Sequence, residues 1–305
     1  MNIEKLLGIK YPIICGAMAR IADATLAAAV SNAGGLGIIA GGGLSKEELK
    51  AEIRKCKELT SNPFGVNIML MASNKDELAN LLIEEKVSVV TTGAGSPEAY
   101  IKMWKEAGIK VIPVIASVKH AKKMEALGVD AVVAEGTEAG GHIGSTTTMC
   151  LIPQVVDAVS IPVIAAGGIA DGRGMRAVEI LGAAGVQIGT RFLATKECKI
   201  AQAYKEEVIK ANDTDTRVIG LSIASPIRNL KNEMTEKYLE LEYNGAPKEE
   251  LDKLTLGALK KAVEGDVNSG SMMSGQIAGL IHNIKSVKEV IVDLISQYEF
   301  VKREK

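Results

Sequence analysis

The sequence predicts an α/β protein: a (β/α)8 barrel of the TIM type with a C-terminal helical appendage over the barrel mouth. Three observations carry that reading. Eight short apolar runs rich in Val and Ile recur about every 25 residues through residue 189, as buried parallel strands do. Segments with helical periodicity and charged faces separate them. Small and polar residues gather just after the runs, where barrel enzymes build their sites.

In chain order, strands are expected at 12–17, 36–40, 64–70, 87–92, 110–116, 131–134, 162–166 and 186–189. Helices are expected at 24–33, 46–59, 75–85, 97–107 and 118–127. A doubly wound open sheet would instead need a GxGxxG turn between its first strand and helix. Gly34-Gly35-Leu36-Gly37 does not supply it, because a helix precedes those glycines and a strand follows. Residues 24–45 carry no charge, a length that permits a membrane span. Six glycines plus Ser31 and Asn32 break that stretch into helix, turn and strand, so no membrane association is expected. After Phe192 the texture becomes charged and helical, with a turn at 243–247 and a final helix from about 274 to 298. The expected organisation is a barrel over 1–195, a substrate-side helical appendage over 196–270, and a C-terminal helix within 271–305 packing back on the barrel.

Composition narrows the function. Hydrophobic residues make up 47% and aromatics only 3%, so a large aliphatic core is available. The 36 basic and 37 acidic residues leave a net charge of −1 with no basic block, which argues against nucleic acid. Cys15, Cys56, Cys150 and Cys198 form no CxxC pair, so neither a zinc cluster nor a disulfide scaffold is expected. Free thiols suit a reducing cytoplasm. The N-terminal decapeptide mixes Glu4 with Lys5 and lacks a long apolar run, unlike a signal peptide.

The rim residues carry the chemistry. Strand one leads into Gly16-Ala17-Met18, strand three holds Asn67, and strand six runs into Glu135 and then Gly140-Gly141-His142. Strand seven ends at Gly167-Gly168, and strand eight carries Gln187 and Gly189-Thr190. Bared N–H groups at the last two endings, backed by helix N-termini, form the phosphate cradle frequent in this fold. Of three histidines, His120 and His282 read as surface or packing residues. His142 lies in a glycine loop beside the mouth, where an imidazole exchanges protons near neutral pH. No His pairs with a second His or Cys at metal-ligand spacing, so no metal is expected. Cys15 lacks a neighbouring base and is a poor nucleophile candidate.

Together the Glu138–Gly144 loop, the 163–172 and 187–192 segments and Gly275-Gln276-Ile277-Ala278-Gly279-Leu280 resemble the nitronate monooxygenase/2-nitropropane dioxygenase superfamily. Within it they are nearest the enoyl-acyl-carrier-protein reductase II (FabK-type) branch. That resemblance implies FMN held without a covalent bond. Ala17, Met18 and Asn67 would line its ring and ribityl chain, with Glu135 nearby and Gln187 in support. Gly140, Gly141, Gly167, Gly168, Gly189 and Thr190 would hold the phosphate side, and Met272, Gly275 and Gln276 would approach from the C-terminal segment. His142 falls on the catalytic histidine. Arg20 departs from the branch, standing where an aromatic residue is common.

Two activities follow from the resemblance. One is reduction of a small-molecule or acyl-carrier-protein-bound enoyl thioester by NADH or NADPH. The other is oxidation of alkyl nitronates with O₂. A flavin-free phosphate-binding barrel is the reading from outside that class. A homodimer is expected only because closed homo-oligomers are common.

Overall fold

The structure, a computed structural model, describes residues 1–303. Its strands are β1 (Ile13–Cys15), β2 (Gly37–Ala40), β3 (Phe64–Met69), β4 (Val89–Gly93), β5 (Lys110–Ile115), β6 (Val132–Glu135), β7 (Gly141–His142), β8 (Val163–Ala166), β9 (Gly185–Ile188), β10 (Thr216–Ile219) and β11 (Ile227–Leu230). Its helices are α1 (Ile3–Leu7), α2 (Ala24–Asn32), α3 (Lys46–Leu59), α4 (Lys75–Glu84), α5 (Glu98–Glu106), α6 (Val118–Ala126), α7 (Thr148–Val156), α8 (Gly172–Ile180), α9 (Thr190–Leu193), α10 (Gln202–Lys210), α11 (Glu233–Tyr243), α12 (Lys248–Thr255), α13 (Ala258–Glu264) and α14 (Val287–Arg303). A 3₁₀ turn spans Gln276–Leu280.

Eight parallel strands run in the order β1-β9-β8-β6-β5-β4-β3-β2. Leu36 closes the ring: its N–H donates to the Ile13 carbonyl (2.8 Å), and its own carbonyl accepts from Cys15 N–H (2.9 Å). This is the expected (β/α)8 barrel with helices outside. Local signals place the helices. Ser45 and Glu48 form a reciprocal capping box that starts α3, and Leu49, Ile53 and Cys56 then bury one stripe of it. Gly37 lets α2 lie directly on β2, since a Cβ there would stand 1.9 Å from the Ala27 carbonyl oxygen.

Strand alternation builds two cores. The outer one lies between strands and helices. The inner one fills the lumen with Ile14, Ile38, Val89, Ile112, Val133 and Ile164, sealed at the N-terminal end by Ile3 and Leu7 of α1. Two residues further along the same faces the lumen turns polar. There lie Thr91 after Val89, Glu135 after Val133, Asn67 opposite Thr91, and Gln187.

Two expectations need correction. Residues 196–270 are not helical throughout: β10 and β11 form an antiparallel hairpin, and β11 adds β7 as a third strand. The loop containing His142 is therefore paired backbone rather than a free glycine loop. The final helix begins at Val287, not near 274, because residues 276–280 form the 3₁₀ turn. His282 accordingly lies between that turn and α14 rather than in the helix. α14 packs on α8, where Gly172 N–H donates to Gln297 Oε1 (2.9 Å) and Tyr298 OH donates to Glu179 Oε1 (2.6 Å). Among the described residues no helix is long and apolar enough to cross a membrane.

Candidate active site

The polar upper lumen is the floor of the candidate site. Asn67 donates from Nδ2 to Thr91 Oγ1 (3.0 Å), and its carbonyl accepts from Gly41 N–H (2.9 Å). Glu135 and Gln187 have no side-chain hydrogen bond among the described residues, although Gln187 is buried. Glu135 keeps some access to solvent, but it sits deep among protein atoms, and desolvation raises its carboxyl from 4.5 to about 7. A carboxyl that titrates near neutral pH and a carboxamide in the same polar layer offer both donors and acceptors.

The walls come from the strand-end loops. Gly16 N–H donates to the Ile188 carbonyl (2.8 Å), which brings Ala17 and Met18 beside β9. The glycines divide into two kinds. A Cβ on Gly140 would stand 2.7 Å from the Ser274 carbonyl carbon, and one on Gly275 would stand 2.7 Å from the Glu138 carbonyl oxygen. Gly167, at φ +87°, similarly faces the Gly136 carbonyl oxygen at 2.8 Å. These three allow backbone to lie on backbone. A Cβ on Gly141 or Gly189 would instead make only ordinary contact with a flexible side chain, Met273 Sδ at 3.5 Å and Met18 Sδ at 3.8 Å. Gly168, at φ +73°, abuts the Glu138 side chain.

The C-terminal segment completes the rim. Gly275 N–H donates to Thr190 Oγ1 (2.9 Å), and Gln276 N–H donates to the Glu138 carbonyl (2.9 Å). Met272 is buried in the outer core, with its carbonyl accepting from Leu230 N–H (2.9 Å). Its neighbour Met273 places its sulfur 3.5 Å from where a Cβ on Gly141 would stand. Arg20 stands exposed on the loop after β1 at φ +61°, its guanidinium beside Gly43.

His142 stands on β7 opposite Ile227, and Ile143 N–H donates to the Pro226 carbonyl (3.1 Å). One side of the ring meets solvent, while desolvation on the other lowers its pKa below the ordinary 6.5. Near neutral pH the imidazole is thus mainly neutral and carries one N–H donor. His120 and His282 are exposed and elsewhere.

Three contributors escaped the sequence reading. Glu138 accepts from Thr148 N–H (3.0 and 2.9 Å) and from Thr148 Oγ1 (2.9 Å), capping α7 and fixing the loop base. Glu138 opens the loop that carries the resemblance, but its bonding to Thr148 depends on the fold. Arg228 reaches the same loop from β11. Met273 becomes visible as a wall only beside Gly141.

Comparison with known proteins agrees with this architecture. The nitronate monooxygenase family profile matches residues 2–81 and 73–297. FabK from Thermotoga maritima superposes with a TM-score of 0.96 at 47% identity, covering 99% of this chain and 97% of that one. The (3aS,4S,5R,7aS)-5-hydroxy-7a-methyl-1-oxo-octahydro-1H-indene-4-carboxyl-CoA dehydrogenase of Rhodococcus jostii is 36% identical over 96% of this chain and 94% of its own. A probable nitronate monooxygenase of Staphylococcus saprophyticus is 35% identical over 93% of this chain and 94% of its own. Fold and likeness together define the class: the flavin-dependent oxidoreductase superfamily on a (β/α)8 barrel, an FMN-binding fold. Within that class, the chain belongs to the nitronate monooxygenase family.

Proposed function

We propose that the protein is an FMN-dependent oxidoreductase that reduces enoyl thioesters with NADH or NADPH. The observation that carries this is the mainly neutral His142 held on β7, in the loop that follows β6 and its Glu135; neither Glu135 nor Gln187 has a side-chain hydrogen bond among the described residues. The residues present fit FMN. Polar groups without a side-chain partner among the described residues suit the edge of a ring, glycines at 141 and 189 meet only flexible methionine side chains, and the turns at Gly167-Gly168 and Gly189-Thr190 would present N–H groups to a phosphate. Ala17, Met18 and Asn67 would line the ring and ribityl chain, with Gly275 and Gln276 closing the rim. Bound there, the flavin supplies hydride transfer between nicotinamide and substrate.

The chain's own residues set up the acceptor. The N–H of neutral His142 donates to the thioester carbonyl oxygen and stabilises the enolate-like charge that develops there. Glu135 and Gln187 would hold the cofactor's polar edge from below. The small glycine surface at the mouth admits a flat acyl group. Similarity to FabK and to a relative named for a carboxyl-CoA substrate supports a thioester, whether carried by coenzyme A or by acyl-carrier protein.

A second reading, nitronate oxidation with O₂ and without nicotinamide, is favoured by the family profile and the staphylococcal relative. Fold alone does not separate the two. Anaerobic stopped-flow of the yellow holoprotein separates them. Bleaching by NADH or NADPH and recolouring by an enoyl thioester is the expected result. Bleaching by a nitronate alone would move the assignment to the second reading. Colourless protein that takes up no added FMN would defeat both.

A further inference from the structure

We propose that Arg228 is a positioning residue for His142, holding the histidine loop against the appended hairpin so that the ring faces the mouth. This rests on the reading that His142 acts on the substrate.

Arg228 grips the loop at two places. Its backbone lies opposite Gly141 in the β11–β7 register, next to the Ile227–His142 pair. Its guanidinium returns to the start of the loop, where Nε donates to the Thr137 carbonyl (3.1 Å). Nη1 donates to Thr216 Oγ1 (2.9 Å) on β10, so one side chain ties the loop to both strands of the hairpin. Thr137 N–H in turn donates to the Thr146 carbonyl (2.9 Å), closing the loop at its base. The other side of the loop is held independently by Gln276 on the Glu138 carbonyl and by the Gly140–Gly275 contact.

The need for such a clamp lies in the local sequence. His142 follows two glycines, and Gly141 sits at φ +80°, so the backbone ahead of the ring has little stiffness of its own. The clamp is also costly. Arg228 is only 8% exposed, and the carboxylate that offsets its charge is Glu138, which is already engaged with Thr148. Keeping a desolvated guanidinium is poor economy for stability alone. A planar fork can bond two separate acceptors at fixed angles; a lysine ammonium offers a point charge instead.

The test uses the FMN-loaded protein and the variants Arg228→Gln, Arg228→Lys, His142→Gln and the double Arg228→Gln/His142→Gln. In Arg228→Gln, flavin reduction by nicotinamide should stay at the wild-type rate, while reoxidation by a short enoyl-CoA thioester slows up to about 10²-fold. Arg228→Lys should fall between wild type and Arg228→Gln. The double variant should be no slower than His142→Gln, since the two changes remove one function. By NMR, the His142 ring signal, assigned by its loss in His142→Gln, should move in both Arg228 variants while those of His120 and His282 stay. Should Arg228→Gln fail to fold, Arg228→Lys carries the same comparisons. A wild-type reoxidation rate in the folded Arg228 variant, multiplying losses in the double variant, or an unmoved His142 signal would overturn the proposal. Full activity in His142→Gln would instead sink the functional reading, and the NMR comparison would still decide whether Arg228 holds the ring.

Discussion

The two ends of the barrel lumen are built by the same strands and behave as opposites. At the N-terminal end Ile14, Ile38, Val89, Ile112, Val133 and Ile164 pack without access to water beneath Ile3 and Leu7. Two residues later, Asn67 Nδ2 donates to Thr91 Oγ1, whereas Glu135 and Gln187 have no side-chain hydrogen bond among the described residues. Burying polar groups without partners is unfavourable. The lower layer therefore supplies stability, and the upper one spends part of it on a surface that a ligand can complete. Barrel folds separate the two roles in this way.

The comparison can be broken most sharply at its rim. His142→Ala should lower turnover of an enoyl thioester by about 10²–10⁴-fold while changing thermal unfolding little, because the residue is exposed and lies outside the barrel core. Equal turnover in steady-state assays would separate His142 from the chemistry. The opposite pattern is expected below. Ile164→Ala, at a fully buried lumen position, should cost about 2–5 kcal/mol in denaturant unfolding, with flavin reduction by nicotinamide retained in the folded fraction.

Glu135 lies on the boundary and should respond to pH. Its folded pKa of about 7 exceeds the ordinary 4.5, so the folded state holds a proton that the unfolded chain releases between those values. Its contribution to stability is fully present below pH 4.5 and is lost as pH rises through about 7. Unfolding measured at acid and alkaline pH should therefore show Glu135→Gln gaining on the wild type as pH rises. A constant difference would show that folding does not raise the pKa of the carboxyl. The smallest effect is expected at Thr92, whose hydroxyl is buried on β4 without a partner among the described residues. Thr92→Val should change stability by no more than about 1 kcal/mol, in the stabilising direction. A larger loss in calorimetry would mean that the hydroxyl is satisfied.

The contrast between lumen and appendage also explains what could be read in advance. α3 spans Lys46–Leu59, the expected 46–59, because a capping box and an apolar stripe are both local. The eight barrel strands lie within two residues of their expected limits, since each carries its own apolar run. β10 (Thr-Arg-Val-Ile) and β11 (Ile-Arg-Asn-Leu) have no such run, and Gly141-His142 has no strand preference of its own. They are ordered by pairing with one another from distant parts of the chain. The late start of α14 had a local signal that the apolar residues before it obscured. Ser286 N–H donates to Glu289 Oε2 (2.7 Å), and Glu289 N–H donates to Ser286 Oγ (3.3 Å), which is a capping box in the spacing Ser-x-x-Glu.

By itself the sequence determined the barrel, its strand order along the chain, and which residues stand at the strand ends, because apolar alternation and glycine turns act over a few residues. Only the tertiary structure decided which glycines pack backbone on backbone and which meet only side chains, which carboxyl is desolvated, and that His142 belongs to a strand paired with β11, from which Arg228 bonds the same loop. Each of those depends on groups far apart in the chain meeting at hydrogen-bond or van der Waals distance, and no local pattern encodes that meeting.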